Sequence, residues 1–336
     1  MSSNLRGLWG TDANNVWATG GPASDDVLLK WDGTAWAYQA STASLTLYGV
    51  WGTSTNNVWV GGRKGHLMRW NGSTWTTFTS GLETDGTNGP HFIYSIWGSD
   101  ANNIWAVSGN GEYGNILKWN GATWTIQHTQ TSGLRAIWGA SASNIWAVGD
   151  NGNIVHYDGS TWSTVSYTVT PALDANTTLF SVWGSDANNV WVGGAVVSGV
   201  TTPTLLKWNG STWSRADTTG LPVAASVNNV RGIAGTSANN VYLVGDSGSF
   251  ASHWNGSSWT TESTGAAVSL NAIWVSPNGA DIWVSGASSL MIKGTAAPAV
   301  SSPTVTTPTS SAVTHNTATL GGTISATGGA DATARG

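Results

Sequence analysis

The sequence has no cysteine among its 336 residues, and only 9% of them are charged. Without cysteine the chain has neither a disulfide framework nor a thiolate-ligated metal site. The 12 Lys and Arg against 17 Asp and Glu give a net charge of −5, whereas a nucleic-acid surface needs clustered basic residues. No apolar run reaches the roughly 18 residues of a membrane span. We therefore expect no nucleic-acid partner and no insertion into a membrane.

The first residues, Met1-Ser2-Ser3-Asn4, lack the basic and then apolar segments of a secretory signal peptide. A repeating pattern starts directly after them, at Leu5. We therefore expect the sequence to be a piece of a longer protein.

Tryptophan is the residue in excess, with 23 copies beside 4 Phe and 3 Met. An indole ring is large and usually buried, so this number implies a repeated structural role. All 23 occupy four recurring slots. The first slot, followed by Gly in most copies, recurs from Trp9 to Trp274, which is 265 residues over six intervals and a period of about 44.

The third and fourth slots flank a turn, as in Lys207-Trp208-Asn209-Gly210-Ser211-Thr212-Trp213. Asn-Gly or Asp-Gly between β-prone flanks predicts a hairpin with a type I′ turn. The turn occurs in six copies: Lys30–Trp36, Arg69–Trp75, Lys118–Trp124, His156–Trp162, Lys207–Trp213 and His253–Trp259. Each unit is predicted to contain four short strands, a to d, without a helical period.

Four-stranded units with this period are typical of propeller blades. Seven copies predict an all-β, seven-bladed β-propeller over residues 1–296. In the seventh copy Lys293-Gly294 takes the third slot and the fourth is missing. Only Ala296–Ser301, with Pro298, could supply its strand d, so we expect a poor edge strand or a three-stranded blade.

The C-terminal part has a different composition. Residues 297–311 are rich in Ser, Thr and Pro and are predicted to form a linker. Residues 312–336 include Ala318-Thr319-Leu320-Gly321-Gly322-Thr323-Ile324, which is similar to the opening strands of a fibronectin type III or immunoglobulin-like domain. Twenty-five residues are too few for a sandwich of about 100, so we interpret this part as a truncated start.

The loops of the seven copies divide into two classes. The a–b turns and the c–d hairpins are nearly uniform, whereas the b–c and d–a loops differ in length and sequence. In a four-stranded antiparallel blade these two classes lie on opposite rims. Individual loops on a rigid scaffold are where binding usually resides, which places the predicted site on the rim of b–c and d–a loops.

One position in strand a, three residues before the first slot, carries cationic, aromatic and amide side chains that could surround an anionic ligand. The candidate ligand-binding residues are Arg6, Tyr48, Tyr94, Arg135, Phe180, Arg231 and Asn271. The alternative is inter-blade packing with Arg stacked on aromatic rings.

Two other recurrent patterns are interpreted as architecture. The residue before the third slot is basic in every copy, and long basic stems cover apolar surface while their heads stay in water. Asp12, Asp100 and Asp186 in the a–b turns could suggest Ca²⁺, but Asp in a tight turn caps its own backbone. We expect no metal and no cofactor.

The hairpin resembles the Asp-box of sialidase-like propellers, Ser-x-Asp-x-Gly-x-Thr-Trp, with Asp158-Gly159-Ser160-Thr161-Trp162 the nearest copy and one residue shorter. The whole repeat over residues 5–294 resembles Trp-rich repeats of bacterial secreted, lectin-like propellers. The lectin resemblance implies sugars bound between blades against Trp faces.

A sialidase would need three Arg, a general acid and a Tyr–acid pair. Arg6, Arg135 and Arg231 could imitate the Arg triad, and Glu112-Tyr113 is the only adjacent pair. No spacing forces these residues together, and the sialidase family has six blades.

These features predict a non-enzymatic recognition module at the cell surface or outside the cell. Carbohydrate is the leading ligand class. A protein-interaction or adhesion scaffold and a sialidase-like glycosidase are the alternatives, so the expected partner is a glycan or a surface protein.

Overall fold

The computed structural model describes residues 3–295 except 23–24, 42, 83–90, 198–199, 201, 223–228 and 247–249, together with 309–311 and 319–321. The chain divides into two compact units, Met1–Gly294 and Thr295–Gly336. The first is a seven-bladed β-propeller of antiparallel blades, which confirms the predicted fold. In the described part of the chain, no helix has the length and hydropathy of a membrane span.

The first four blades each contain four strands in chain order. Their bounds are β1 Leu5–Asp12, β2 Asn15–Gly20, β3 Val27–Trp31 and β4 Trp36–Tyr38; β5 Leu47–Ser54, β6 Asn57–Gly62, β7 Leu67–Trp70 and β8 Trp75–Phe78; β9 Phe92–Asp100, β10 Asn103–Gly109, β11 Gly114–Trp119 and β12 Trp124–Gln130; β13 Leu134–Ser141, β14 Asn144–Gly149, β15 Ile154–Tyr157 and β16 Trp162–Thr164.

The fifth and sixth blades repeat this arrangement, and the seventh has three strands among the described residues. Their bounds are β17 Leu179–Asp186, β18 Asn189–Gly194, β19 Thr204–Trp208 and β20 Trp213–Arg215; β21 Val230–Ser237, β22 Asn240–Gly245, β23 Ala251–Trp254 and β24 Trp259–Thr261; β25 Leu270–Val275, β26 Asp281–Gly286 and β27 Met291–Thr295. Short 3₁₀ turns at Asp150–Gly152 and Ala287–Ser289 follow strand b of the fourth and seventh blades. Residues 296–301, the candidate fourth strand, lie outside the described residues.

The second unit contains one two-stranded sheet, in which β28 (Thr309–Ser311) pairs antiparallel with β29 (Thr319–Gly321). β28 falls within the range predicted as linker. The remainder of 297–311 and of 312–336 lies outside the described residues, so the linker and the truncated sandwich-like start stay predictions.

The Trp-Gly pair of the first slot locks neighbouring blades together. The ring of Trp97 in the third blade covers Gly139 of the fourth, and a Cβ built on Gly139 would lie 2.4 Å from Trp97 Cη2. The same pairing joins Trp9 to Gly52, Trp51 to Gly98, Trp138 to Gly184, Trp183 to Gly235 and Trp274 to Gly10. The sixth blade has Ala234 instead of Trp, and the facing position in the seventh is Val275 instead of Gly. The Gly is therefore needed only where a Trp ring covers it.

The second-slot ring is buried between its own blade and the hairpin of the next. Trp59 is 0% exposed and lies 4.9 Å from Trp119 and 5.2 Å from Trp124, the latter edge-to-face at 87°. Such edge-to-face contacts add to the free energy of burial. Equivalent contacts join Trp17 to Trp70 and Trp75, Trp105 to Tyr157, Trp146 to Trp208 and Trp213, Trp191 to Trp254 and Trp259, and Trp283 to Trp31 and Trp36.

The ring closes by packing of the seventh blade against the first. Trp283 lies 5.0 Å from Trp31 and 5.1 Å from Trp36, and Asn271 Nδ2 donates to the carbonyl of Leu5 at 2.8 Å. The Ser289 backbone N–H also donates to the Ser3 carbonyl at 2.6 Å. Closure thus uses the same kind of ring contacts that join the second blade to the third.

The basic residue of strand c stacks on the second-slot ring directly opposite it in strand b. Lys207 Nζ lies 4.6 Å from the Trp191 ring centroid, and Lys118 Nζ lies 4.9 Å from that of Trp105. Where the basic residue is His, the imidazole stacks on the ring, with centroids 4.1 Å apart for His156 on Trp146. These contacts are what the architectural interpretation predicts.

The predicted type I′ turn is wrong. In all six hairpins only the Gly has a positive φ, between 95° and 102°, and the preceding Asn or Asp does not. Four residues separate the paired Trp, and the Asn or Asp side chain closes the loop: Asp158 Oδ1 accepts from the backbone N–H groups of Ser160 and Thr161, each at 2.8 Å. This Asx geometry replaces the second positive φ. Because Ala35 and Thr34 donate to Asp32 in the same way, its pKa falls to about 2.

We expect the two stacked histidines to make stability sensitive to mild acid. Burial lowers the pKa of both His156 and His253, whereas the unfolded chain keeps the ordinary value near 6.5. The unfolded state therefore binds more protons below about pH 6.5, so the free energy of unfolding should fall as pH drops from 7 towards 5. Urea titrations at several pH values measure this.

The matched control is the double variant H156K/H253K, because Lys30, Lys118 and Lys207 occupy the same position in other blades. It should fold and show a flatter dependence between pH 5 and 7. His128, whose pKa burial also lowers, is present in both proteins. The Asp carboxylates of the c–d hairpins titrate at lower pH, so their contribution to the free energy of unfolding is lost only below about pH 4. Equal slopes for the two proteins would contradict the prediction.

Candidate functional site

The seven predicted ligand-binding residues line one cavity at the centre of the ring, of about 180 Å³. Each blade contributes one of them: Arg6, Tyr48, Tyr94, Arg135, Phe180, Arg231 and Asn271. They stand near the start of strand a, where the d–a loops enter the ring. The cavity therefore opens towards the rim of variable loops.

A β-bulge presents each of these side chains. In the first blade Leu5 pairs with Gly20 and Gly7 with Thr19, so Arg6 is an extra residue opposite consecutive partners. The other six blades show the same register shift at the equivalent position. Bulges change the direction of a side chain and are common beside functional sites.

The arginines stack on aromatic rings of neighbouring blades. The Cζ atom of Arg135 lies 4.5 Å from the Tyr94 centroid, and that of Arg231 lies 4.5 Å from the Phe180 centroid. Arg6 Cζ lies 5.0 Å from the Tyr48 ring, which in turn meets Tyr94 edge-on at 5.1 Å. The two interpretations of this position are therefore compatible: the arginines pack on aromatic rings and also line a shared cavity. A stacked guanidinium leaves its N–H edge available to a ligand.

Two aspartates, which the sequence analysis missed, hold two of the arginines. Arg135 donates to both Asp150 oxygens at 2.9 and 2.8 Å, and Arg231 donates to Asp246 at 2.9 to 3.1 Å. Burial lowers the pKa of Arg135, but the hydrogen bond to Asp150 opposes it and the net shift is upward. Each Asp directly follows the last Gly of strand b and lies 15 residues after its Arg. This shared spacing is the sequence signal that could have indicated the two ion pairs.

Arg6 differs from the other two arginines. No carboxylate among the described residues pairs with its guanidinium, and its side chain is exposed in the cavity. The residue that lies 15 positions after Arg6, where the other two blades have their Asp, is Gly21. Its φ is 123°, and a Cβ added there would lie 2.4 Å from the Asp25 carbonyl oxygen. An aspartate cannot be accommodated there, so Arg6 has no carboxylate partner among the described residues of the kind that Arg135 and Arg231 have.

Next to the charged ring the lining of the cavity includes a layer of aliphatic side chains. Each blade adds one aliphatic side chain, two residues further along strand a, and these form what we call the aliphatic collar: Leu8, Val50, Ile96, Ile137, Val182, Ile233 and Ile273. Small residues between the two layers let neighbouring strands approach closely. The cavity thus combines a cationic and aromatic entrance with an apolar wall.

The cavity lacks the groups that glycoside hydrolysis requires. No Asp or Glu is among its described lining residues, and neither Glu112 nor Tyr113 contributes to it. Arg135 and Arg231 are already engaged by carboxylates and so are not free to form an Arg triad. The part of the chain that the structure describes also contains no cluster of His, Asp and Glu suited to a metal.

The tryptophans that the lectin resemblance would use are packed inside the ring. None of the 23 is exposed: each is buried or half-buried. The large exposed apolar side chains among the described residues are Tyr38 and Ile126 instead. Stacking of a sugar on a fully buried ring, such as that of Trp17 or Trp59, would require displacing a blade contact.

Comparisons with known proteins support the fold and not a family. No protein-family model matches the chain, and no curated protein matches it in sequence. A structure of YCF48 bound to a D1 peptide is similar, with a TM-score of 0.64 and 14% identity over 88% of this chain and 94% of that one. The WD40 propeller domain of Doa1 gives 0.61 and 13% over 87% and 92%.

A third similar structure is the extracellular domain of a putative hybrid two-component system from B. thetaiotaomicron. Its TM-score is 0.64, at 11% identity over 92% of this chain and 39% of that one. At these identities the likeness concerns the fold alone.

Proposed function

We propose that this chain is a non-enzymatic interaction module that holds a segment of a protein partner on the loop rim, over the central cavity. The observation that carries the proposal is the convergence of one bulged side chain from every blade on a single polar cavity at that rim. YCF48, which has the same fold, was solved with a D1 peptide, so a propeller of this shape can present a surface to a peptide.

The size of the cavity supports a macromolecular ligand. Sites that enclose a small molecule usually measure about 300–1,000 Å³, whereas this cavity measures about 180 Å³. It has room for one anchoring group, and the surrounding loops supply the remaining contact surface. An anchor in a pocket surrounded by a wider contact area is the usual anatomy of a protein interface.

Acidic glycans are the competing ligand class, because a sugar carboxylate could also meet an arginine. The packing of the tryptophans favours a peptide, since each of them is buried or half-buried. A surface or extracellular location stays part of the proposal and rests on the resemblance of the repeats.

The test uses a random peptide library and an acidic glycan array side by side. The chain has no cysteine, so the variants Glu112→Cys and Ala122→Cys can each be labelled with a polyethylene glycol maleimide at one site. Both residues are exposed in the third blade, on opposite rims. We expect selected peptides to bind and the label at position 112 to block them, while the label at position 122 leaves binding unchanged.

Binding of glycans without peptides, or of no ligand at all, would overturn the proposal. Peptide binding that is blocked by the label at position 122 and not by the label at position 112 would also overturn it.

A further inference from the structure

The geometry points to a carboxylate with an apolar neighbouring group as the chemical class that this cavity anchors, with Arg6 as the binding cation. The inference rests on the proposed function for its partner but concerns the chemistry of the cavity itself. It separates the three arginines, which the repeat pattern presents as equivalent, into two different roles.

Charge is the first argument. Arg135 and Arg231 are bound to Asp150 and Asp246 at 2.8 and 2.9 Å, and these pairs are neutral as units. Further donors fix the two acids, because Thr178 donates to Asp150 at 3.2 Å and Asn229 to Asp246 at 2.7 Å. The fourth and sixth blades therefore supply shape, and the Arg without a carboxylate partner among the described lining residues is Arg6 of the first blade.

The orientation of Arg6 is the second argument. Its guanidinium lies over Tyr48, whose ring is held by edge contacts with Phe92 and Tyr94 at 5.7 and 5.1 Å. A stacked guanidinium keeps its N–H edge in a fixed plane, which matches the two oxygens of a carboxylate. A dianionic group such as phosphate would keep one charge unbalanced, because the cavity has no second unpaired Arg among its described lining residues.

The aliphatic collar is the third argument. A hydrated inorganic anion gains nothing from an apolar wall, whereas an alkyl group beside a carboxylate does. Two sources in a protein have this chemistry: the α-carboxylate of an apolar C-terminal residue, and an Asp or Glu side chain with its methylene groups. Both place a carboxylate at Arg6 and carbon atoms against the collar.

Butyrate and butyramide are the minimal probes. With the uniformly ¹⁵N-labelled chain, we expect butyrate to shift the Nε–H resonance of Arg6 and butyramide to leave it in place. The Arg6→Lys variant assigns that resonance by its loss. No shift with butyrate, or equal shifts with both probes, would overturn the inference.

Library peptides provide the second measurement. The seventh blade has Asn271 at the position that Arg6 occupies in the first blade. The Arg6→Asn variant should therefore fold. We expect it to weaken peptide binding about tenfold or more, because a hydrogen-bonded ion pair is lost. The matched control is Lys64→Asn, which removes one exposed charge from the same rim, outside the cavity and at a φ of 56° that Asn tolerates. It should stay within about twofold.

The two carboxylate sources are separated by peptide chemistry. One arm uses a peptide without acidic side chains and with a free C-terminus, and the other uses an amidated peptide with a single internal Glu. The peptide whose binding is weakened by Arg6→Asn identifies the source of the carboxylate. If the variant weakens the binding of neither peptide, the inference is overturned.

Failure of the inference and failure of the proposed function give different results. Peptides that bind the loop rim equally to the chain and to Arg6→Asn would leave the interaction module standing and remove the carboxylate anchor. A shift of Arg6 with butyrate but no peptide in the library would do the reverse.

Discussion

Replacing Gly139 with Val should destabilise the propeller by about 3 kcal/mol, and the same replacement should cost less in a chain that already carries Trp97→Ala. The Cβ at position 139 would lie 2.4, 2.6 and 2.8 Å from three atoms of the Trp97 ring, so the indole must move or the blades must separate. Overpacking of this kind costs about 1–3 kcal/mol and occasionally more. Urea unfolding of the four proteins of the cycle measures the effect.

The sixth and seventh blades provide the natural precedent for the double variant. There Ala234 faces Val275, so the chain already contains the pair that the two substitutions would build. Trp97→Ala alone should cost about 3–5 kcal/mol through the cavity it leaves. The double variant should lose less than the sum of the two single losses, by about 1–3 kcal/mol. Strictly additive losses would mean that Trp97 and Gly139 do not constrain each other.

The sequence predicted the blades well because each repeat carries its own strand pattern and turn. Residues at one repeat position are related by rotation about the ring axis, so Arg6, Tyr48 and their five equivalents had to approach one another. Their convergence follows from the period alone. Their role in binding does not, and it enters only with the proposed function.

The details of the cavity depend on contacts that a repeat pattern does not encode. The pairing of Arg135 with Asp150 joins a bulge in strand a to a loop after strand b, and it needs the actual register. The spacing of 15 residues in two blades was visible, but it has meaning only once that register is known. The same holds for Arg6, whose free charge depends on the backbone of Gly21.

The hairpin shows how a local rule can fail while the fold prediction succeeds. Asn-Gly indicated a tight two-residue turn, yet the loop has four residues, because the Asn or Asp side chain accepts two backbone N–H groups. A type I′ turn at Asn209-Gly210 would have paired Trp208 with Ser211, two residues earlier in the chain than its actual partner. The actual loop keeps both Trp of the hairpin opposite each other, as Trp208 and Trp213 are.

Trp283→Ala should have the second large effect, because Trp283 joins the seventh blade to the first. It is 3% exposed and packs on Trp31 and Trp36, and Lys293 Nζ lies 5.6 Å from the centroid of its ring. Loss of a buried indole costs about 3–5 kcal/mol. We expect backbone amides of β1, β2, β25 and β26 to exchange with deuterium faster than those of the third to fifth blades, because local opening begins where contacts are lost.

Trp59→Ala is the matched control for that experiment. Trp59 occupies the same slot between the second and third blades and has the same kind of contacts with Trp119 and Trp124. Its loss should lower the free energy of unfolding by a similar amount, but the fastest exchange should then appear at β5 to β12. Since no strand of the first blade completes the seventh in the described residues, closure depends on side-chain packing and on the hydrogen bonds to the carbonyls of Ser3 and Leu5. Identical exchange patterns for the two variants would contradict the prediction, because opening would then not follow the position of the lost ring.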